Sequence, residues 1–214
     1  KEIIDAYTGT DDEIKEKVKE LAKKTPIHEV VLDMAIEHHP DPQQAQEYRI
    51  PRLWQGDMDS TDGHSLIKCD PEGRMFFVIV KVVVDPQAGE IAAGRLFSGT
   101  MKKGDEVFLN MANMPSRIQQ VYIYNGAKKE IVDNVPCGNI IGIGGLKAGM
   151  PGETITTDGK ADPFEEIKHI FDPVVTKAIE AKRPSDLPKL IEVLRQVQKE
   201  DPTIKIEINE ETGE

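Results

Sequence analysis

Glycine-rich stretches are where a chain can cradle a phosphate, and two in this sequence come near the required spacing. Gly144 to Gly149 is followed by Met150 and Pro151, and Gly99 to Gly104 by Asp105. A cradle of this type ends in a Lys that reaches the phosphates and a hydroxyl that holds Mg²⁺. Neither stretch has them. Asp57, Asp59 and Asp62 beside Gly63 hint at a calcium loop, but the spacing is off by one and Lys68 stands where a bidentate Glu belongs. The histidines are His28, His38, His39, His64 and His169. The adjacent pair points about 100° apart on a helix and cannot easily share a metal. Cys69 and Cys137 lack zinc-site spacing and make no disulfide framework. No nucleophile elbow is present. Catalytic, cofactor and metal residues are therefore all read as none.

Positive charge remains. Arg95, Lys102 and Lys103 come from a strand and the turn after it; Arg117, Lys128 and Lys129 follow. Such residues either contact nucleic-acid phosphates, fixing register without reading sequence, or keep a strand edge solvated. Both readings stand. The 214 residues carry a net charge of −11, with 38% hydrophobic and 30% charged residues. That composition fits one or two folded domains. Bulk charge neither favours nor excludes RNA, because a small basic patch can sit on an acidic protein. No apolar run approaches a membrane span and the start does not read as a signal peptide. The expected compartment is the cytoplasm.

The elements that position these residues change character twice. Thr10 and Glu13 have capping-box spacing, with Ile14, Val18 and Leu21 on one face and Pro26 as the stop. A second helix runs from Ile27 to a stop at Pro40. From about residue 48 the period becomes two. Met75 to Val84 reads as a strand, followed by Ile91–Leu96, Glu106–Leu109, Arg117–Tyr124, Lys129–Val132, Asn139–Ile143 and Thr154–Thr156. Asn125-Gly126 signals a hairpin. Short strands at this spacing suggest a small closed or nearly closed β-barrel. Trp54 reads as a packing residue between barrel and first segment. Val174–Ala181 reads as a strand, Leu187 to Val197 as a helix opened by Pro184 and ended by Asp201-Pro202, and Ile204–Ile208 as a strand: one β-α-β unit.

Four stretches are more specific: YRIPRLWQGD at Tyr48–Asp57, GRLFSGTMKKGDEV at Gly94–Val107, RIQQVYIYNG at Arg117–Gly126 and DNVPCGNIIGIGGL at Asp133–Leu146. Together they resemble the second domain of translation-factor GTPases, most closely the archaeal–eukaryotic elongation factor 2 family of ribosomal translocases. The stretch from Pro173 to Glu214 resembles the start of that family's third domain, and residues 1–42 the end of its nucleotide domain. Gln87 stands where the family often has His.

The resemblance implies a fold that is mostly β with α+β. A translation-factor β-barrel would be preceded by short helices and followed by the β-α-β half of a ferredoxin-like domain. The expected division is 1–42 for the helical end of the GTP-binding domain and linker, 43–158 for the barrel, 159–171 for a linker and 172–214 for the half domain. It further implies an internal fragment of a translocase whose parent hydrolyses GTP using GTP and Mg²⁺. The fragment itself would hold no cofactor and be inactive, supplying ribosome docking and interdomain coupling. Expected partners are the ribosome, through small-subunit RNA and protein, and other domains of the parent. No membrane and no DNA are expected. The fragment is expected to be a monomer, with association through an open sheet edge as the other outcome. Arg95, Lys102, Lys103, Arg117, Lys128 and Lys129 become expected contacts with ribosomal RNA. Gly94 and Gly99 become expected contacts with the effector loop of the nucleotide domain, beside their plainer reading as tight corners. A related GTPase of splicing or ribosome biogenesis, and a stand-alone RNA-binding adaptor, are the alternatives.

Overall fold

The structure, a computed structural model, describes residues 9–24, 26–85, 87–126, 128–146, 148–165, 174–201 and 203–208. His169, Pro173 and Pro202 lie outside them. Two compact units are formed, Lys1–Asp41 and Pro42–Glu214. In the first, α1 (Asp11–Lys24) opens with three acids and closes with Lys23 and Lys24, matching the helix dipole. The Thr10 N–H donates to Glu13 Oε2 at 3.0 Å, one arm of the capping box. Helix α2 (Ile27–His38) follows Pro26. Its Ile27, Val31 and Ile36 are exposed.

The second unit begins with helices where strand periodicity was expected from residue 48. These are α3 (Pro42–Leu53) and α4 (Thr61–Lys68). Ala45, Gln46 and Ile50 are buried at helical spacing, and Pro51 interrupts only the last turn. Ser60 caps α4 by accepting the Gly63 N–H at 3.1 Å.

Ten strands follow among the described residues: β1 (Phe76–Asp85), β2 (Gly89–Ser98), β3 (Thr100–Lys102), β4 (Glu106–Leu109), β5 (Met114–Arg117), β6 (Gln120–Asn125), β7 (Lys128–Val132), β8 (Asn134–Pro136), β9 (Ile140–Gly144) and β10 (Thr154–Thr156). Eight form one antiparallel sheet in the order β5-β4-β10-β1-β2-β9-β6-β7, while β3 and β8 pair separately. The expected β-barrel is thus corrected to an open sheet and a two-stranded ribbon. Among the described residues no ladder joins β5 to β7, and closure requires one. The ladder between β2 and β9 breaks at a corner and resumes as β3 with β8. Gly99 (φ +78°) stands at that corner, and its carbonyl accepts the Cys137 N–H at 2.9 Å.

The β-α-β expectation is also corrected. Residues 174–181 and 204–208 are not strands. A strand exists only through its ladder, and Val174 is 96% exposed. Among the described residues of this stretch only the helix α5 (Leu187–Glu200) is present, after a 3₁₀ turn at Pro184–Asp186. None of its residues is fully buried. It is held to the far end of the β1–β2 pair by polar contacts: Glu200 Oε1 accepts the Val84 N–H at 2.7 Å, and Lys199 pairs with Glu90 at 2.8 Å.

Strand β1 is apolar on both faces. Phe77, Ile79 and Val82 enter a core with Leu96, Leu109, Ile141 and Ile155, to which β3 and β8 add Met101 and Val135. Phe76 and Val78 face a second core with Ile50, Trp54, Leu66, Phe97 and Phe164. The two sets alternate until Val80, an unpaired residue between Ile79↔Gly94 and Lys81↔Ala93. This bulge reverses the parity, so Val80 is exposed and Val82 returns to the first core. Trp54 packs edge-on to Phe76 and its indole N–H donates to the Asp162 carbonyl at 2.7 Å. It therefore packs within the second unit.

The turn after β1 depends on Asp85. Its carboxylate receives Lys129 and the N–H groups of Ala88 (2.8 Å) and Gln87 (2.9 Å), and these bonds hold its pKa down at about 2, from 3.8. The Gln87 side chain is not needed for this, so Gln serves there as well as His. A carboxylate with a lowered folded pKa stabilises fully above the unfolded value and loses that contribution as pH falls toward the folded one. Asp85→Asn should lower the urea midpoint above pH 4 and flatten its fall between about pH 4 and 2. Parallel curves for the two proteins across that window would contradict the assignment.

Candidate nucleic-acid interface

The six basic residues fall in three places. The first is the corner between β3, β4 and β5. Lys102 and Lys103 are exposed there. The Lys102 N–H donates to Asp105 Oδ2 at 2.9 Å, the Lys103 N–H to the Asp133 carbonyl at 2.9 Å, and Arg117 Nε to the Gly104 carbonyl at 3.0 Å. Backbone bonds thus fix a turn that presents three cations outward. Neither lysine forms an ion pair among the described residues.

The second place is the β6–β7 hairpin. Lys128 is exposed, whereas Lys129 is half-buried, bonded to Asp85 and 5.7 Å over the Tyr122 ring. Lys129 has a structural task already, and Lys128 has none.

Arg95 occupies the third. It lies opposite Val78 in the β1–β2 register and so faces the second core and α3, not the Lys102–Lys103 turn. Its guanidinium is 5.5 Å over the Phe97 ring. Burial pushes its pKa below the usual arginine value, and Arg49 of α3 pushes it the same way. Its Nε is buried with no hydrogen-bond partner. Arg49 was not singled out in the sequence. Nothing in its spacing marks it, because its proximity to Arg95 exists only once α3 lies over β2.

Gly94 and Gly99 both sit at close backbone approaches. A Cβ on Gly94 would lie 1.9 Å from the Val78 carbonyl oxygen and 2.8 Å from the Phe77 ring. A Cβ on Gly99 would lie 2.6 Å from Met75 Cα.

Two buried polar groups also escaped the sequence. Glu153 is 1% exposed; burial raises its pKa, opposed by the N–H groups of Met111 (2.7 Å) and Ala112 (3.1 Å) that donate to it. The buried Gln46 amide ties α3 to the sheet by donating to the carbonyls of Leu66 and Phe97, the latter at 3.0 Å.

A guanine nucleotide with Mg²⁺ does not fit the residues present. The Gly144–Gly149 stretch leaves a strand and leads to β10, not to a helix N-terminus. A Cβ on Gly149 would meet Ile79 Cδ1 at 3.0 Å, so that backbone faces the core. Among the described residues no three His, Cys, Asp or Glu side chains could hold a metal ion.

The family pattern described as "Elongation factor Tu domain 2" matches residues 89–156, and "Elongation Factor G, domain III" matches residues 170–214. Among curated proteins, elongation factor 2 of Archaeoglobus fulgidus is 54% identical over 204 residues, which is 95% of this chain and 28% of that protein. The Methanocaldococcus jannaschii protein of the same name is 54% identical over 196 residues, 91% of this chain and 27% of its own length. The Thermococcus kodakarensis one is 48% identical over 214 residues, 100% of this chain and 28% of its own length. The chain thus spans little more than a quarter of these relatives.

Two outcomes are expected. Titration calorimetry of this chain with GTP and Mg²⁺ should give no heat of binding, and micromolar affinity would contradict the absence of a fit. Gly94→Ala should cost about 3 kcal/mol of stability or more in urea unfolding, because backbone must move to admit the methyl. A loss under about 1 kcal/mol would show that the bulge relaxes freely.

Proposed function

From a chain homologous to elongation factor 2 over essentially its whole length, we propose a segment that docks on the ribosome and couples domains within a GTP-dependent translocase. The observation that carries this reading is the 54% identity over 204 residues. The second-domain and third-domain matches support it by falling in the order the relatives' architecture requires. In this reading residues 1–42 close the nucleotide domain, 43–158 form the second domain, 159–171 link and 172–214 open the third. GTP and Mg²⁺ are handled elsewhere in the protein, in the cytoplasm, and no step of hydrolysis is assigned to the residues described here.

The docking chemistry is electrostatic. Lys102, Lys103 and Arg117 project from a turn whose backbone is already bonded, so ordering it against a polyanion costs little conformational entropy. Lys128 adds a second point of contact, and Arg95, held over Phe97, a third. Gly94 and Gly99 are read as the positions met by the effector loop; the Gly99 N–H and carbonyl are already bonded to the Asp70 carbonyl and the Cys137 N–H, so such a contact is one of close approach and not of hydrogen bonds. No helix of the described residues is long and apolar enough to cross a membrane, in keeping with this role.

Lys102→Glu combined with Lys103→Glu, placed in the full-length reading frame, should lower ribosome affinity. It should also flatten the slope of log K against log salt by roughly 0.7–0.9 for each phosphate no longer neutralised. GTP affinity should stay the same, and stability should move within about ±0.5 kcal/mol, as for exposed turns. An unchanged salt slope in the folded double variant would return both lysines to solvation of a strand edge.

A further inference from the structure

Cys69 and Cys137 stand 68 positions apart in sequence, and the fold brings them to one place. Cys69 caps the C-terminus of α4, and Cys137 follows β8. The Cys137 thiol donates to the Cys69 carbonyl at 2.9 Å. Gly99 fixes the backbone on both sides. Its N–H donates to the Asp70 carbonyl at 2.8 Å, and its carbonyl accepts the Cys137 N–H at 2.9 Å. The next residue, Gly138, has φ +86°, and a Cβ there would lie 3.3 Å from Cys69 Sγ. Both cysteines are free and neither is fully buried. A hydrogen bond to a helix-end carbonyl accounts for Cys137 alone. It does not account for Cys69, whose φ of +52° is the left-handed cap that Gly or Asn fills more readily.

We propose that Cys69 and Cys137 form a thiol–disulfide site, closed to an intramolecular disulfide by exchange with a low-molecular-weight disulfide. The bonds through Gly99 and the Cys137 contact keep the two backbones close before any covalent bond forms, as a disulfide requires. The Cys69 thiolate attacks one sulfur of the small disulfide and releases one small thiolate. The Cys137 sulfur then attacks the mixed disulfide at Cys69, and the second small thiolate leaves. One S–S bond breaks in the reagent and one forms in the protein. The protein loses two electrons, the reagent gains them, and the two cysteine protons end on the small thiols. Burial and the neighbouring Cys69 side chain push the Cys137 thiol up to about 12, so Cys137 does not open the exchange. Its place in the sequence of steps comes from proximity. In a reducing compartment the pair rests as two thiols and closes as the small-disulfide fraction rises. The bond joins α4 to the end of the β3–β8 ribbon. This site is independent of the docking reading.

The test equilibrates the whole chain with reduced and oxidised glutathione over a series of ratios, followed by acid quenching, trypsin and mass spectrometry. The tryptic peptide of residues 69–74 should appear joined to that of residues 130–147, lighter than their sum by two hydrogen atoms. Its yield should not depend on protein concentration. The oxidised chain should unfold at higher urea than the reduced one, because the cross-link restricts the unfolded chain. Cys137→Ser should stop at glutathione on Cys69. Cys69→Ser should take up glutathione at Cys137 about 10-fold more slowly, or worse, than Cys137→Ser does at Cys69. If either serine variant fails to fold, the peptide map of the unaltered chain decides the matter alone. Two glutathiones on one chain without a cross-link overturn the site, and so does a cross-link whose yield rises with protein concentration. An oxidised chain that unfolds at lower urea also overturns it, since the fold must then distort to make the bond. So does a folded chain that stays unmodified where the urea-unfolded chain reacts fully.

Discussion

The antiparallel pairing of Phe76–Asp85 with Gly89–Ser98 is the constraint on which the second unit is built. Both faces of this pair are apolar, so each strand serves two cores at once. A pleated strand can do this only if its side-chain parity is controlled, since a slip of one residue exchanges the faces. The bulge at Val80 and the absence of a side chain at Gly94 provide that control. They allow the Phe77 ring to cross β2 while Val78 and Phe76 remain with Trp54 and Phe164. The helices α3 and α4 then have a surface to cover, and Gln46 ties them to it through the carbonyls of Leu66 and Phe97.

The first strand of this pair was legible: the ten-residue apolar run at Met75–Val84, bounded by turn residues, reads as a strand, and the structure has it at Phe76–Asp85. Glu106–Leu109 and Thr154–Thr156 were found to the residue for a similar reason, being short apolar pieces between sharp breaks. The closure of the sheet was not legible. It depends on whether the last edges meet, and the corner at Gly99 diverts two strands into a ribbon of their own. Helix α3 was hidden by Pro51, whose effect depends on its distance from the helix end. The outer strands of the C-terminal segment were misread because alternation at Ile204, Ile206 and Ile208 shows capacity for a ladder, not the presence of one.

The candidate site shows the same division. Lys102 and Lys103 adjoin in sequence and share a turn, so their grouping with each other was readable. Their grouping with Arg95 was not, because one side of a strand looks toward α3 and the turn beyond it looks elsewhere. Lys129 reads like Lys128 until the fold brings Asp85 to it. Arg49 could not be found at all, since what distinguishes it is its action on Arg95 of a distant strand.

Helix α5 touches the sheet at one end of the β1–β2 pair, where Val84 and Glu90 meet Glu200 and Lys199. The opposite end of the same pair, at Phe76 and Phe97, is sealed into the core beneath α3 and α4. A strand of ten residues spans about 33 Å, so a tilt of about 5° at the sealed end carries the other through about 3 Å. A shift of that size at the outer end would reach α5 through Glu200, Lys199 and Glu90, contacts that can part without exposing either core.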